Sequence, residues 1–245
     1  MTFTVMSYNI KEGGEGRLPL IVDIIKEQHP DVVALLEANS RPAVERLARD
    51  LGMRVAYGDA NSAFAVAWLS RMPIERAQNH RFAALAKTLL EIEVAWAGET
   101  VHLFATHLAA RGDARRPADE VPVILDALRP VADRPHLLVG DFNAVRPGDP
   151  VGAPPHGVEK WGDARPCAPR QAIRLIIDAG YTDCYHVLHP REPGYTYPSD
   201  APWLRLDYIF ASPRMAARLH TCEVIAGGHA PRASDHLPLR AVFRS

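Results

Sequence analysis

The alternation of residues over 2–9 (TFTVMSYN) predicts an opening strand, which Gly13, Gly14 and Gly16 bring to an end. A helix is predicted from Pro19, whose fixed φ suits a first turn, with Leu18, Ile21, Val22 and Ile25 on one face. Residues 31–37 (DVVALLE) form a short apolar run that stops on an acid, which reads as a buried strand reaching the rim of a sheet. A second amphipathic helix is predicted over 42–51, and 64–70, 73–82, 87–96 and 100–107 read as successive strands. Pro117 opens a third helix, with Val121, Ile124, Leu125 and Leu128 at helical spacing, and a strand over 136–141 follows it.

The remainder is looser. Residues 144–169 are rich in Pro and Gly and read as one long loop, of a length that marks functional or mobile connections. A short helix over 173–179 ends at Gly180, a second loop-rich stretch covers 185–202, and strands resume at 204–211, 219–225 and 237–243. The layout is mixed α/β, without internal repeats.

With 245 residues at 47% hydrophobic composition, the chain can bury a substantial core, and one domain is expected. A formal charge of -1 and a pI near 6.8 exclude the global basic field of a non-specific nucleic-acid binder, leaving room only for a local basic strip. The positive charge is mostly Arg, with Lys only at 11, 26, 87 and 160. The start, MTFTVMSYNI, lacks the pattern of a signal peptide, and no apolar run approaches the ~18 residues of a membrane span, so a cytoplasmic protein without a membrane anchor is expected. Cys167, Cys184 and Cys222 are odd in number and lack CxxC spacing, which argues against a disulfide frame or a thiolate zinc site.

Polar residues recur where apolar strands end: Asn9 in SYNI, Glu37 in LLE, His107 in FATHL, Asp141 and Asn143 in GDFN, Asp207 in RLDYIF, and Asp235 with His236 in SDHLP. One strand-end Asp is an ordinary cap or turn former. Together these endings supply only Asn, Asp, Glu and His, and oxygen ligands without thiolate favour a hard cation such as Mg²⁺ or Mn²⁺ over zinc. Imidazoles beside carboxylates are held cationic and can donate to a phosphoryl oxygen or a leaving group. These parts describe metal-assisted hydrolysis of a phosphate ester.

The ordered set SYNI, LLE, LSRMPI, THL, GDFN, RLDYIF and SDHLP resembles the endonuclease/exonuclease/phosphatase family, of deoxyribonuclease-I-like fold, and runs from Asn9 to His236. The resemblance implies a four-layer α/β sandwich, two packed and mostly antiparallel sheets flanked by helices, with the site at one rim. It places Glu37 on a divalent metal, Mg²⁺ or Mn²⁺, with Asn9 and Asp235 close to it. It gives Asp141 the attacking water, Asn143 a share in holding water and phosphate, and His107 and His236 the phosphoryl oxygens, with Asp207 holding His236. No covalent intermediate is implied.

The substrate is expected to be a phosphodiester, DNA among the candidates. A phosphomonoester or diester of a small metabolite or lipid head group is the alternative, and a non-catalytic binding module of the same fold is the third reading. LLEAN and the AVRPGD that follows GDFN depart from the abasic-endonuclease branch. Arg111, Arg115 and Arg116 follow THL and read either as phosphate contacts or as a solvated helix start. Trp161, Tyr195, Tyr197 and Trp203 read either as stacking platforms or as pins that hold the loops.

Overall fold

The computed structural model describes residues 1–110, 112–152 and 170–245. In chain order the first half runs β1 (Thr2–Asn9), α1 (Leu18–Gln28), β2 (Val32–Leu36), α2 (Arg41–Leu51), β3 (Arg54–Gly58), β4 (Val66–Ser70), β5 (Arg76–His80), β6 (Leu89–Trp96) and β7 (Glu99–His107). The second half continues with α3 (Pro117–Leu128), β8 (His136–Asp141), α4 (Gln171–Asp178), β9 (Thr182–Asp183), α5 (Cys184–Leu188), β10 (Asp207–Ala211), α6 (Pro213–Ala216), β11 (Leu219–Val224), α7 (Ala230–Ala233) and β12 (Leu239–Arg244).

Two six-stranded sheets result, ordered β11-β12-β1-β2-β4-β3 and β5-β6-β7-β8-β10-β9. Each is antiparallel except for one pair near its middle, β1 with β2 and β7 with β8. These pairs are the ones joined through α1 and α3, because a parallel crossover needs a connection long enough to return the chain to the same end.

Strand parity builds the layers. Phe3, Val5, Val32, Ala34, Val66 and Trp68 of the first sheet meet Ile92, Leu103, Ala105, Leu137, Val139 and Ile209 of the second in a fully buried seam. The opposite parity, with Met6, Val33 and Leu35, packs against Ile21, Ile25, Val44 and Leu47 of α1 and α2. Phe104, Leu138 and Phe210 likewise pack against Val121, Ile124, Ile173 and Ile176 of α3 and α4. The four-layer sandwich expected from the sequence is the fold observed.

Several local expectations are corrected. β3 was not expected: Arg54 and Val55 are exposed and only Ala56 and Gly58 are buried, so this edge strand carries no apolar alternation. The stretch read as loop from 185 contains most of α5, whose N-cap Asp183 accepts from the His186 N–H; five residues are too few to display helical periodicity. The strand expected from 204 starts at Asp207, since Leu204 instead bridges to Tyr197. Of the long loop, 144–152 are irregular as expected and 153–169 lie outside the described residues, as do Arg111, Trp161 and Cys167. No helix among the described residues is long and apolar enough to cross a membrane.

Candidate active site

The site forms where inner-facing positions of both sheets run out at the same rim. In the second sheet, His107 pairs laterally with Asp141 across β7 and β8, and Asp141 with Asp207 across β8 and β10, so the three side chains share the last rung. That rung has the parity of Leu103, Leu137 and Ile209 and faces the other sheet. Gly140 makes the lateral approach possible: with φ at +146°, a Cβ there would lie 1.8 Å from the Thr106 carbonyl oxygen.

In the first sheet, Asn9 occupies the corresponding end of β1 and is fully buried. Glu37 has the opposite parity from the core positions of β2 and would face α2 if the strand continued. Its left-handed backbone, φ 54°, breaks the alternation instead, and its carbonyl accepts from the N–H groups of Gly13 and Asn39. Asn143 takes a similar conformation, φ 46°. Such backbone costs about 1–2 kcal/mol in a non-glycine residue, less for Asn.

Asp141 is the hub. Its Oδ2 accepts from Asn9 Nδ2 at 3.1 Å and lies 3.5 Å from His107 Nε2 and 3.7 Å from His236 Nε2. Its Oδ1 accepts from the Asn143 N–H at 2.9 Å. The Asn9 amide also donates to Glu37 Oε1 at 3.2 Å, and Glu37 Oε2 accepts from the Glu12 N–H at 2.9 Å. His236 Nδ1 sits 2.8 Å from Asp207 Oδ2, and the Tyr197 ring packs on the imidazole at 4.8 Å between centroids. Asp235 is turned to Lys11, 3.4 Å from its Nζ, while Ser234 Oγ ties this loop to the Asn9 carbonyl at 2.6 Å.

The two imidazoles have opposite character. Burial pulls the His236 pKa down, but the charges of Asp207 and Asp141 and the Asp207 hydrogen bond outweigh it and lift the group to about 10. For His107 burial prevails over Asp141, with Lys87 and His236 adding to it, and the pKa falls to about 4. The expectation that carboxylates hold the imidazoles cationic is therefore met by His236 and corrected for His107, which is neutral at pH 7. Burial also raises the Glu37 pKa, against hydrogen bonds from Glu12 and Asn9, with the Asp141 charge raising it further.

A family model described as the Endonuclease/Exonuclease/phosphatase family matches residues 6–236, nearly the whole chain. The protein belongs to this family. Its fold is similar to an AP endonuclease from Archaeoglobus fulgidus, at TM-score 0.79 and 20% identity over 99% of this chain and 100% of that one. It is similar also to the 3′ phosphatase NExo from Neisseria bound to product DNA hairpin (0.76, 22%, 99% and 100%) and to the human Nocturnin catalytic domain (0.72, 20%, 99% and 93%). No curated protein sequence matches the chain.

As in a member of the endonuclease/exonuclease/phosphatase family, a divalent cation fits the donor set at this rim. Among the described residues, four carboxylates, Glu37, Asp141, Asp207 and Asp235, gather here, with Lys11 paired to Asp235 and His236 to Asp207. The ligating atoms of Asp141, Asp207 and His236 lie within 4.8 Å of one another. A protonated imidazole has no lone pair to offer a metal, however, so the oxygen donors here that could suit a hard cation are the carboxylates, Glu37 among them.

The structure thus joins Asn9, Glu37, His107, Asp141, Asn143, Asp207 and His236 in one contiguous cluster, with Asp235 at its margin through Lys11 and Ser234. Of the arginines after THL, Arg115 donates to the Ala83 carbonyl and Arg116 forms an exposed pair with Asp119, which is the solvated reading. Trp203 is a buried pin beside Val145, Leu204 and Leu206. Sequence reasoning missed Lys11, Lys87, Glu120 and Ser234. Lys11 adjoins the motif SYNI and Ser234 opens SDHLP, which is the signal that finds them; Glu120 sits inside a helix pattern and gives none.

Proposed function

We propose that the protein is a divalent-metal-dependent phosphodiesterase that transfers the phosphoryl group to water by in-line attack, with DNA as the leading substrate. The observation that carries this reading is the double anchorage of Asp141, one oxygen held by the Asn143 N–H and the other by Asn9, between a neutral and a cationic imidazole. A carboxylate so fixed is a general base that does not reorganise as it takes a proton.

Asp141 takes the proton of the attacking water as the new O–P bond forms opposite the ester oxygen whose bond to phosphorus breaks. His236, cationic and held by Asp207, donates to a phosphoryl oxygen as negative charge gathers there. His107 Nε2–H and the second Nδ2–H of Asn143 are further donors toward the phosphoryl group. Glu37 and Asn9, with Asp235 behind Lys11, would hold a Mg²⁺ or Mn²⁺ ion, which when bound neutralises phosphate charge and polarises its oxygens.

The test is nicking of supercoiled plasmid with Mg²⁺ or Mn²⁺, against EDTA and an identically prepared Asp141→Asn variant. Metal-dependent nicking lost in the variant supports the nuclease. Release of phosphate from monoesters without cleavage of diesters moves the protein to the monoesterase reading, the class named for the Neisseria structure. Folded protein inactive on both classes defeats the proposal.

A further inference from the structure

Lys87 is one of four lysines in the chain, and it is only 1% exposed. It lies just ahead of β6, and an ammonium group in such a place needs partners. Lys87 Nζ donates to Asp113 Oδ2 at 2.6 Å and to the Leu108 carbonyl at 3.1 Å. That carbonyl, one residue beyond His107, also accepts from Asn143 Nδ2 at 3.1 Å. Both lone pairs of one oxygen are thus taken, one by a buried cation and one by a side chain of the candidate site.

The surrounding main chain is held just as firmly. The Leu108 N–H donates to the Asp141 carbonyl at 2.9 Å. Glu120, fully buried, accepts from the N–H groups of Ala86 at 2.5 Å and Ala109 at 2.6 Å, clamping the segments that carry Lys87 and Leu108. Asp113 closes the far side by accepting from the Ala110 N–H at 2.7 Å. Enclosed and doubly bonded, Lys87 cannot itself meet a substrate. Its influence runs through the Leu108 peptide plane to Asn143, whose carboxamide has this carbonyl as its hydrogen-bond partner among the described residues.

We propose that Lys87 is a positioning residue for Asn143: by fixing the Leu108 carbonyl it sets which edge of the carboxamide faces the phosphate. This inference rests on the phosphoesterase reading above. Removing Lys87 takes the cation from the Leu108 carbonyl, whose peptide plane Glu120 still holds through the Ala109 N–H, so Asn143 loses a polarised, fixed acceptor without losing its place in the chain.

The experiment is a double-mutant cycle between Lys87→Met and Asn143→Ala, with bis(p-nitrophenyl) phosphate and Mn²⁺ as the assay. Lys87→Met is expected to lower kcat about tenfold with KM within twofold of wild type, and Asn143→Ala about a hundredfold, both from typical positioning and acid-base effects. The double variant is expected within twofold of Asn143→Ala alone. Leu51→Ala, in the core on the far side of the first sheet, serves as the control for destabilisation, and its effect on kcat should be the same in both backgrounds. Should Lys87→Met melt below the assay temperature, Lys87→Arg and Asp113→Asn enter the same cycle, the first keeping a cation in place and giving an intermediate kcat. A further tenfold loss in the double variant, or wild-type kcat in the Lys87 variants, overturns the positioning role alone. Wild-type turnover in Asn143→Ala and Asp141→Asn overturns the phosphoesterase reading and this inference with it.

Discussion

His236 Nδ1 lies 2.8 Å from Asp207 Oδ2, with both side chains buried. The carboxylate fixes the ring and, with Asp141, holds its pKa at about 10, so the imidazolium persists across the whole neutral range. In Asp207→Asn the group returns toward an ordinary histidine value, and activity should fall as pH rises through neutrality, whereas wild type holds its rate to about pH 10. A kcat–pH profile of the two proteins checks this. His236→Ala and Asp141→Asn should each lower kcat at least ~10²-fold, and His236→Ala, which leaves Asp207 buried without its cation, should lower the melting temperature as well.

Glu37→Gln separates metal binding from folding. The folded carboxyl pKa is raised, so its protonated form is the one favoured by folding: that contribution is present below the unfolded value of ~4.3 and is lost as pH rises through the folded value. The variant should therefore lose less stability than wild type between pH 4 and 7 in EDTA. With Mg²⁺ at about ten times a typical Kd, wild type should gain roughly 1.4 kcal/mol, or ~4 °C in Tm, and the variant almost nothing. Thermal melts with and without Mg²⁺ measure both effects.

On the outer face of the second sheet, Glu91 is bracketed by His80 Nε2 at 2.9 Å and His102 Nδ1 at 3.1 Å. Burial pushes its pKa up, but the hydrogen bonds and charges of these histidines overcome it and set the carboxyl at about 2. The stabilisation is complete above the unfolded value of ~4.3 and is lost as pH falls toward about 2. Urea midpoints at pH 6 and pH 3 should differ less for Glu91→Gln than for wild type.

Arg205 is only 2% exposed and binds Asp183 through both oxygens, at 2.9 and 2.7 Å, and Asp149 at 2.9 Å. Arg205→Met leaves two buried carboxylates with only the more distant Arg146, 3.7 Å from each, a loss of about 3–5 kcal/mol. A Tm fall of about 10 °C is expected, and adding Asp183→Asn should recover part of it.

What the sequence disclosed and what it hid divide along physical lines. Asn9, His107 and Asp141 were legible because each ends an apolar strand, and Asp207 because it opens one, at the rim where a buried run of alternating side chains stops. Glu37 was legible as a strand end, but the left-handed turn that brings it to the right face was not, since a single αL residue leaves no periodic trace. The separation of His236 from His107 depends on which ring nitrogen meets a carboxylate, at 2.8 Å in one case and 3.5 Å in the other, and one-dimensional patterns do not carry such distances. Lys87, Glu120 and Arg205 escaped notice because each satisfies backbone or charge partners far along the chain, across separations of 21, 34 and 56 residues.

The hydrogen bond from Asn9 to Asp141 spans 132 residues and is the seam where the two sheets meet at the rim. Asn9 and Glu37 belong to one sheet, and His107, Asp141 and Asp207 to the other. A chain that has completed only one sheet owns half of the chemistry. The candidate set exists only where the two leaves meet, so any opening between the sheets takes it apart without breaking either sheet.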